Sequence, residues 1–327
     1  MHHSLLEILR CPGTGERLRL EDDAGKDVVD RGVLVSEKSG RRYPVEGGVP
    51  RFVSSENYAD NFGVQWNLFQ KTQLDSHSRQ SISADRFWKA TGWSAAQIKD
   101  TLILDAGCGA GRFAEIAAAA GARLVAIDYS SAVDACFRNV GHFPNVDVVQ
   151  ADIFALPFAR ETFSYVYSLG VLQHTPDVRS AFHRLVDVLA PGGQIAVDFY
   201  WKRLRSVLQP KYLLRPFTRR ADQEKLMSLL VRTVPAMLSV SKAAKKIPLA
   251  GRALSKLVPV ADYSGVYPLD DSQLQEWALL DTFDMLAPKY DKPQTPSTLR
   301  RWFAEAGLAQ VQILHASALA ARGVKPA

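Results

Sequence analysis

Cysteine is scarce: Cys11, Cys108 and Cys136 are the only three in 327 residues. That is too few for a disulfide framework and fits a reducing, cytoplasmic compartment. No apolar run approaches the ~20 residues that span a bilayer. Met1 to Cys11 holds no long apolar stretch and no small-residue cleavage site, so no secretory leader is expected there. Acids are missing from one place. Between Lys202 and Val260, fourteen basic residues face only Asp222 and Glu224. The local net is +12, which leaves −6 for the rest of a chain whose total is +6. The basic character therefore belongs to that segment and not to the fold. Internal repeats and low-complexity tracts are also absent. Apolar content of 47% and charged content of 23% suit a soluble globular chain long enough to bury a full core.

The most informative stretch runs from Leu102 to Arg112. Leu102-Ile103-Leu104 is apolar, Asp105 ends it, and Gly107, Gly109 and Gly111 alternate behind it. An Ala-rich segment, Phe113 to Ala120, follows. This reads as a buried strand, a tight turn and a helix start. Such glycines let backbone N–H groups approach a ligand closely. Arg112 stands where a nicotinamide fingerprint needs its third glycine. Further strand signals come at Leu124–Asp128, Val146–Val149, Phe163–Leu169 and Gln194–Phe199, with helix signals between them. A parallel sheet is the economical reading. Asp128 and Asp152 end the second and third runs, on the edge where open α/β sheets bind ligands. An acid in the first of these positions suits ribose hydroxyls, and one in the second suits an adenine amino group.

The order Asp105, Gly107-x-Gly109-x-Gly111, Asp128, Asp152, His174, Pro191-Gly192-Gly193 resembles the class I S-adenosylmethionine (SAM) methyltransferases. Within them it is most similar to the type 11 subgroup that includes the ubiquinone and menaquinone C-methyltransferases. The resemblance implies an α/β fold: a doubly wound, Rossmann-like, seven-stranded sheet closed by an antiparallel pair. It also implies SAM as cofactor. The residues it points to are Asp105, Gly107, Cys108, Gly109, Gly111, Arg112, Asp128, Tyr129, Asp152, Ile153, Leu169 and Gly170. His174 follows the fourth strand, and an imidazole there suits a general base. The plainer reading is a turn that only shapes the pocket.

Five regions are expected. Residues 1–55 resemble the small zinc-ribbon-like domain of the tRNA-methyltransferase activator family. That pattern needs four cysteines. Here Cys11 remains, while Thr14, Ser36 and Ser39 hold the other positions, and one thiolate cannot make a tetrahedral zinc site. No metal is expected. Residues 56–100 form an aromatic linker. Tyr58, Phe62 and Trp66 share one helix face and suit a lid, whereas helices packed on the sheet edge are the plainer account. Residues 101–201 form the core, and residues 202–294 a cap insertion for the acceptor. Residues 295–327 supply the last helix, capped by Thr295 and Pro296, and the closing strands.

Within the insertion, Leu226, Leu229, Leu230, Val234 and Met237 give a helical stripe. Residues 202–256 are basic as a whole and suit an anionic membrane surface or a lipid-linked substrate. Beyond Asp262, rings and carboxylates alternate, which suits a hydroxylated acceptor. Tyr58, Trp66, Tyr200, Tyr263, Tyr267, Asp284 and Tyr290 are the candidate acceptor residues. The expected activity is methyl transfer to a small molecule or glycan, at oxygen. Methylation of RNA is the alternative. Nucleic acid ranks lower as a partner because carboxylates repel phosphates. A SAM-binding subunit without catalysis is the third reading.

Overall fold

The computed structural model describes residues 1–21, 28–53, 60–203, 210–315 and 318–327. The N-terminal unit is a four-stranded antiparallel meander: β1 (Leu18–Glu21), β2 (Gly32–Ser36), β3 (Arg42–Glu46) and β4 (Val49–Pro50). The linker forms α1 (Asp60–Leu68), α2 (Asp75–Ser78), α3 (Ile82–Thr91) and α4 (Ala95–Ile98). The core then alternates β5 (Leu102–Ala106), α5 (Ala114–Ala119), β6 (Arg123–Asp128), α6 (Ala132–Val140), β7 (Val146–Gln150), β8 (Phe163–Leu169), α7 (Val178–Val188) and β9 (Leu189–Phe199). The insertion is helical: α8 (Pro210–Thr218), α9 (Gln223–Lys245), α10 (Gly251–Ser255) and α11 (Asp271–Leu286). Helix α12 (Pro296–Glu305) leads to β10 (Ala309–His315) and β11 (Leu319–Val324).

The main sheet has seven strands in the order β10-β11-β9-β8-β5-β6-β7. The five from β7 to β9 pair in parallel, and β11 and β10 close the far edge antiparallel. Chain order reverses between β5 and β8, so the crevice at their carboxyl ends is the switch point of a doubly wound sheet. Strands β5 and β6 are buried on both faces, as their unbroken apolar runs require.

The meander covers the β7 edge. The backbone N–H of Phe52 donates to the Gln150 carbonyl at 2.9 Å, and Arg51 reaches Asp134 at 2.7 Å. Leu5, Leu9, Leu34 and Val45 join the same apolar core as Ile127 and Val149. The four positions of the lost zinc pattern still converge. The Cys11 thiol is held below its usual range by hydroxyls of Thr14, Tyr43, Ser36 and Ser39, against the opposing effect of its burial. Tyr43 Oη lies 3.2 Å from Cys11 Sγ, and Ser39 Oγ donates to Ser36 Oγ at 2.8 Å. No group of three or more His, Cys, Asp or Glu arranged for a metal occurs among the described residues.

The insertion builds a core of its own from Leu226, Met227, Leu230, Val234 and Leu238 of α9 against Ala278, Phe283 and Leu286 of α11. The expected stripe is thus turned by part of a residue. Leu229 is exposed, and Met227 and Leu238 take inner places because α9 meets both α10 and α11. The basic and acidic halves of the insertion clamp each other. Lys242 pairs with Asp271 at 2.7 Å, Lys245 with Asp262 at 2.8 Å and Lys211 with Asp291 at 3.3 Å. Part of the +12 charge is therefore structural.

Candidate active site

A cavity of about 360 Å³ opens at the carboxyl ends of β5, β6 and β8. One wall is the glycine turn. Gly107 (φ +92°) and Gly109 (φ +53°) line it, and both occupy the left-handed region that favours glycine. A Cβ on Gly107 would stand 2.4 Å from Val171 Cγ1, and one on Gly109 would stand 3.1 Å from the Trp66 indole. The turn is thus pressed between the β8 exit and the linker. Asp128 lines the same wall at the end of β6. Its carboxylate accepts the Gly109 N–H at 3.0 Å, and the Ser130 N–H and hydroxyl at 2.9 and 2.7 Å. Burial raises its pKa, and these donors oppose the rise. A carboxylate has about four acceptor sites, so capacity remains for a ligand hydroxyl.

Cys108, Arg112, Tyr129, Ile153, Leu169 and Gly170 also line the cavity, as expected. Asp105, Gly111 and Asp152 are not among its lining residues. Asp105 is buried beneath the turn, and burial pushes its carboxyl up to about 8. Its Oδ2 has no partner at hydrogen-bond geometry among the described residues, although the nearby Tyr167 hydroxyl opposes the rise. Gly111 faces α6, where a Cβ would stand 3.3 Å from Cys136 Sγ and from Val140. Asp152 caps the short turn of Ile153–Ala155 by accepting the Phe154 N–H at 2.9 Å. The Arg112 guanidinium is a bolt as well as a lining group. It donates to Ser83 Oγ at 2.9 Å and Gln73 Oε1 at 2.8 Å, and lies over the Trp277 ring. Burial pulls its pKa down to about 10, and the nearby Arg86 charge adds to the fall.

The opposite wall comes from the linker and the insertion. Phe62 and Trp66 of α1 line it with Tyr200, Tyr263, Asp281 and Asp284. Tyr200 Oη donates to Asp284 Oδ2 at 2.7 Å, and Tyr263 Oη donates to Asp281. Gln73 Nε2 donates to Asp281 at 3.0 Å. Burial raises the Asp281 carboxyl to about 6; Tyr263 opposes the rise and Asp284 adds to it. The linker therefore divides. Helix α1 covers the cavity, whereas Phe87 and Trp93 pack into the sheet against Tyr167 and Tyr165.

Two expected acceptor residues do not reach this cavity. Tyr267 stacks behind Tyr263 at 5.0 Å and lines a second cavity of about 380 Å³ beside Arg86 and Asp198. Tyr290 contributes its backbone. Its carbonyl accepts from His174 Nδ1 at 3.0 Å. Tyr58 lies outside the described residues.

His174 itself is buried on the cavity wall. A carbonyl can only accept, so the proton sits on Nδ1 and the lone pair of a neutral ring sits on Nε2. That nitrogen has no hydrogen-bond partner among the described residues. The ring stands 5.3 Å from Phe62 and 5.5 Å from Tyr200. Sequence reasoning missed Gln73, Arg86 and Lys211 as lining residues, because no motif ties them to the glycine turn. Arg86 pairs with Asp198 at 2.8 Å across the mouth of the sheet.

Comparison with known proteins agrees with this geometry. Residues 104–197 match the family described as "Methyltransferase domain", and residues 2–48 match "Trm112p-like protein". A demethylmenaquinone methyltransferase of Clavibacter sepedonicus is 32% identical over 119 residues, which is 36% of this chain and 49% of that protein. A tRNA U34 carboxymethyltransferase of Cellvibrio japonicus is 36% identical over 109 residues, 32% of this chain and 34% of that one. An O-methyltransferase of Aspergillus sclerotiorum is 28% identical over 127 residues, 37% of this chain and 48% of that one. The chain thus spans about a quarter to just over half of the length of these and the other curated relatives it matches. The match over residues 104–197 falls on the parallel strands and the glycine turn at the switch point, and the match over residues 2–48 falls on the N-terminal meander, so this part of the chain resembles a methyltransferase domain behind a Trm112p-like unit.

Proposed function

We propose that this chain transfers a methyl group from SAM to the hydroxyl of a small-molecule or glycan acceptor. The observation that carries the reading is His174, a buried imidazole on the cavity wall with Nδ1–H committed to the Tyr290 carbonyl and Nε2 unpartnered. SAM supplies an electrophilic methyl when bound. Asp128 would accept its ribose hydroxyls, and the Gly107–Gly109 turn would line its methionine half. His174 Nε2 would take the proton of an acceptor hydroxyl held beside it, while the new O–CH3 bond would replace the sulfonium S–CH3 bond and S-adenosylhomocysteine would leave. Asp281, Asp284, Tyr200 and Tyr263 supply acceptors and donors for neutral hydroxyls. Arg86 and Lys211 are already paired with Asp198 and Asp291, and Arg112 is held by Ser83, Gln73 and the Trp277 ring, so the lining cations are committed within the protein. The relative described as an O-methyltransferase supports oxygen as the target.

An RNA acceptor is the second reading, favoured by the Trm112p-like match and the tRNA-modifying relative. Release of S-adenosylhomocysteine can be followed with a panel of phenols and sugars and, in parallel, with total tRNA. Turnover with a hydroxylated small molecule supports the proposal. Turnover with tRNA alone, falling steeply with salt, replaces it with the RNA reading. Calorimetry that finds no SAM binding overturns both.

A further inference from the structure

Ten of the fifteen exposed large apolar side chains among the described residues lie between Leu213 and Leu257. Four of them, Ile247, Leu249, Leu254 and Leu257, cluster where the chain turns from α9 into α10 and leaves it. The turn is built to hold them out. Helix α10 seats on α9 through Gly251 and Ser255, both buried, and a Cβ on Gly251 would stand 2.5 Å from the Ala244 carbonyl oxygen. That close seat uses one face of α10 and leaves Arg252, Leu254 and Lys256 on the outside. Leu249 is exposed as fully as in an open chain, at 109%, and holds φ at +64°. Leu257 is 65% exposed.

The charge around these side chains has one sign. Residues 246–257 contain Lys246, Arg252 and Lys256 and no acid. None of these three cations makes an ion pair with a described residue, unlike Lys242 and Lys245 just before them. Leucines and isoleucine projecting from a turn ringed by free cations match an anionic lipid interface: the apolar groups enter the acyl boundary while the cations meet headgroups. A phosphodiester partner would use the cations but give the leucines nothing to bury in. Helix α9 is long and apolar enough by length and composition to cross a membrane, but it lays Leu226, Leu230, Val234 and Leu238 against α11 while Leu229, Val231 and Val240 stay exposed, so the docking assigned here needs the turn beyond it and not the helix.

We infer that the α9–α10 turn, residues 246–257, docks this protein on the surface of a membrane rich in anionic lipid. The inference is independent of the methyltransferase reading, since vesicle binding and SAM binding are read separately. The test is flotation of the full chain with vesicles of phosphatidylcholine, pure or mixed equally with phosphatidylglycerol. The parent should float with the mixed vesicles and weakly with the neutral ones. The double variant Leu249→Asp/Leu257→Asp should bind the mixed vesicles about tenfold less. The triple variant Lys246→Ala/Arg252→Ala/Lys256→Ala should lose a similar factor and most of its salt dependence. All five side chains replaced are solvent-facing, so SAM affinity by calorimetry should be unchanged in both. A parent that ignores mixed vesicles overturns the inference. So does a leucine variant that binds them as the parent does. Loss of tRNA binding in the lysine–arginine variant alone, with vesicle binding intact, would assign the turn to RNA.

Discussion

The two walls of the cavity are built on different principles. The wall that the proposed reading gives to the cofactor is mostly backbone and comes largely from one run of sequence, the turn from Gly107 to Arg112, completed by Asp128. The wall it gives to the acceptor is side chains: Phe62 and Trp66 from the linker, Tyr200 after the last parallel strand, and Tyr263, Asp281 and Asp284 from the insertion. Backbone that must approach a ligand demands glycine, so the first wall leaves a mark in sequence. Side chains drawn from four distant segments leave none. The difference teaches where specificity is free to vary without disturbing the cofactor site.

That contrast can be broken by experiment. The largest effect is expected at the seam between the walls. His174→Asn should lower kcat by roughly 10²–10⁴, the ordinary worth of a general base, with SAM affinity nearly unchanged. Equal loss of SAM binding would return His174 to a shaping role. Next comes Asp128→Ala, which should weaken SAM by about 1.5–3 kcal/mol in calorimetry and leave the acceptor KM alone. Wild-type affinity in that variant would remove Asp128 from the cofactor wall.

Gly107→Ala tests the backbone principle. A methyl would meet Val171 and force a β-carbon into the left-handed region, so unfolding should show a loss of about 1–3 kcal/mol. Pairing it with Val171→Ala should recover the steric part and leave the conformational part.

A finer test compares the buried acids of the two sides by pH. In the folded chain Asp105 sits near 8 and Asp281 near 6, both raised chiefly by burial from an ordinary value of about 3.9. The folded state then binds more protons than the unfolded one, so each contribution is fully present below pH ~4. It is lost as pH rises, through about 6 for Asp281 and through about 8 for Asp105. Asp281→Asn should flatten the stability profile only up to pH ~6, and Asp105→Asn over the wider range. Urea midpoints across pH would show it, and identical profiles for the two variants would deny the difference in burial.

The smallest expected effect on catalysis lies in the N-terminal unit. Thr14→Cys/Ser36→Cys/Ser39→Cys should restore stoichiometric zinc beside Cys11, because these positions still converge. Metal analysis reads this directly, and an empty site would show that the turns have drifted apart.

The sheet was legible because each signal is local. An apolar run of five residues buries on both faces of a parallel sheet, and β5 to β8 follow those runs closely, whereas β9 begins at Leu189, five residues before the expected start at Gln194. The closing pair and the Thr295–Pro296 helix start were equally local. Where reading failed, the cause was always a distant partner. Leu229 looked like a core residue until α10 and α11 chose which face of α9 to cover. Tyr267 carries the same ring as Tyr263 but stands one layer behind it. Asp105 resembles Asp128 in sequence, yet one lies beneath the glycine turn and the other lines the cavity.

Sequence alone determined the kind of domain: alternating strands and helices, a glycine turn, and an acid at the end of the second parallel strand. Those features follow from periodicity and from backbone geometry that only glycine satisfies. Tertiary structure decided which wall each side chain serves. It paired the basic and acidic halves of the insertion, bolted Arg112 to Gln73 and Ser83, and set the proton of His174 through a carbonyl 116 residues away. Each of those outcomes depends on distances between segments that no local pattern encodes.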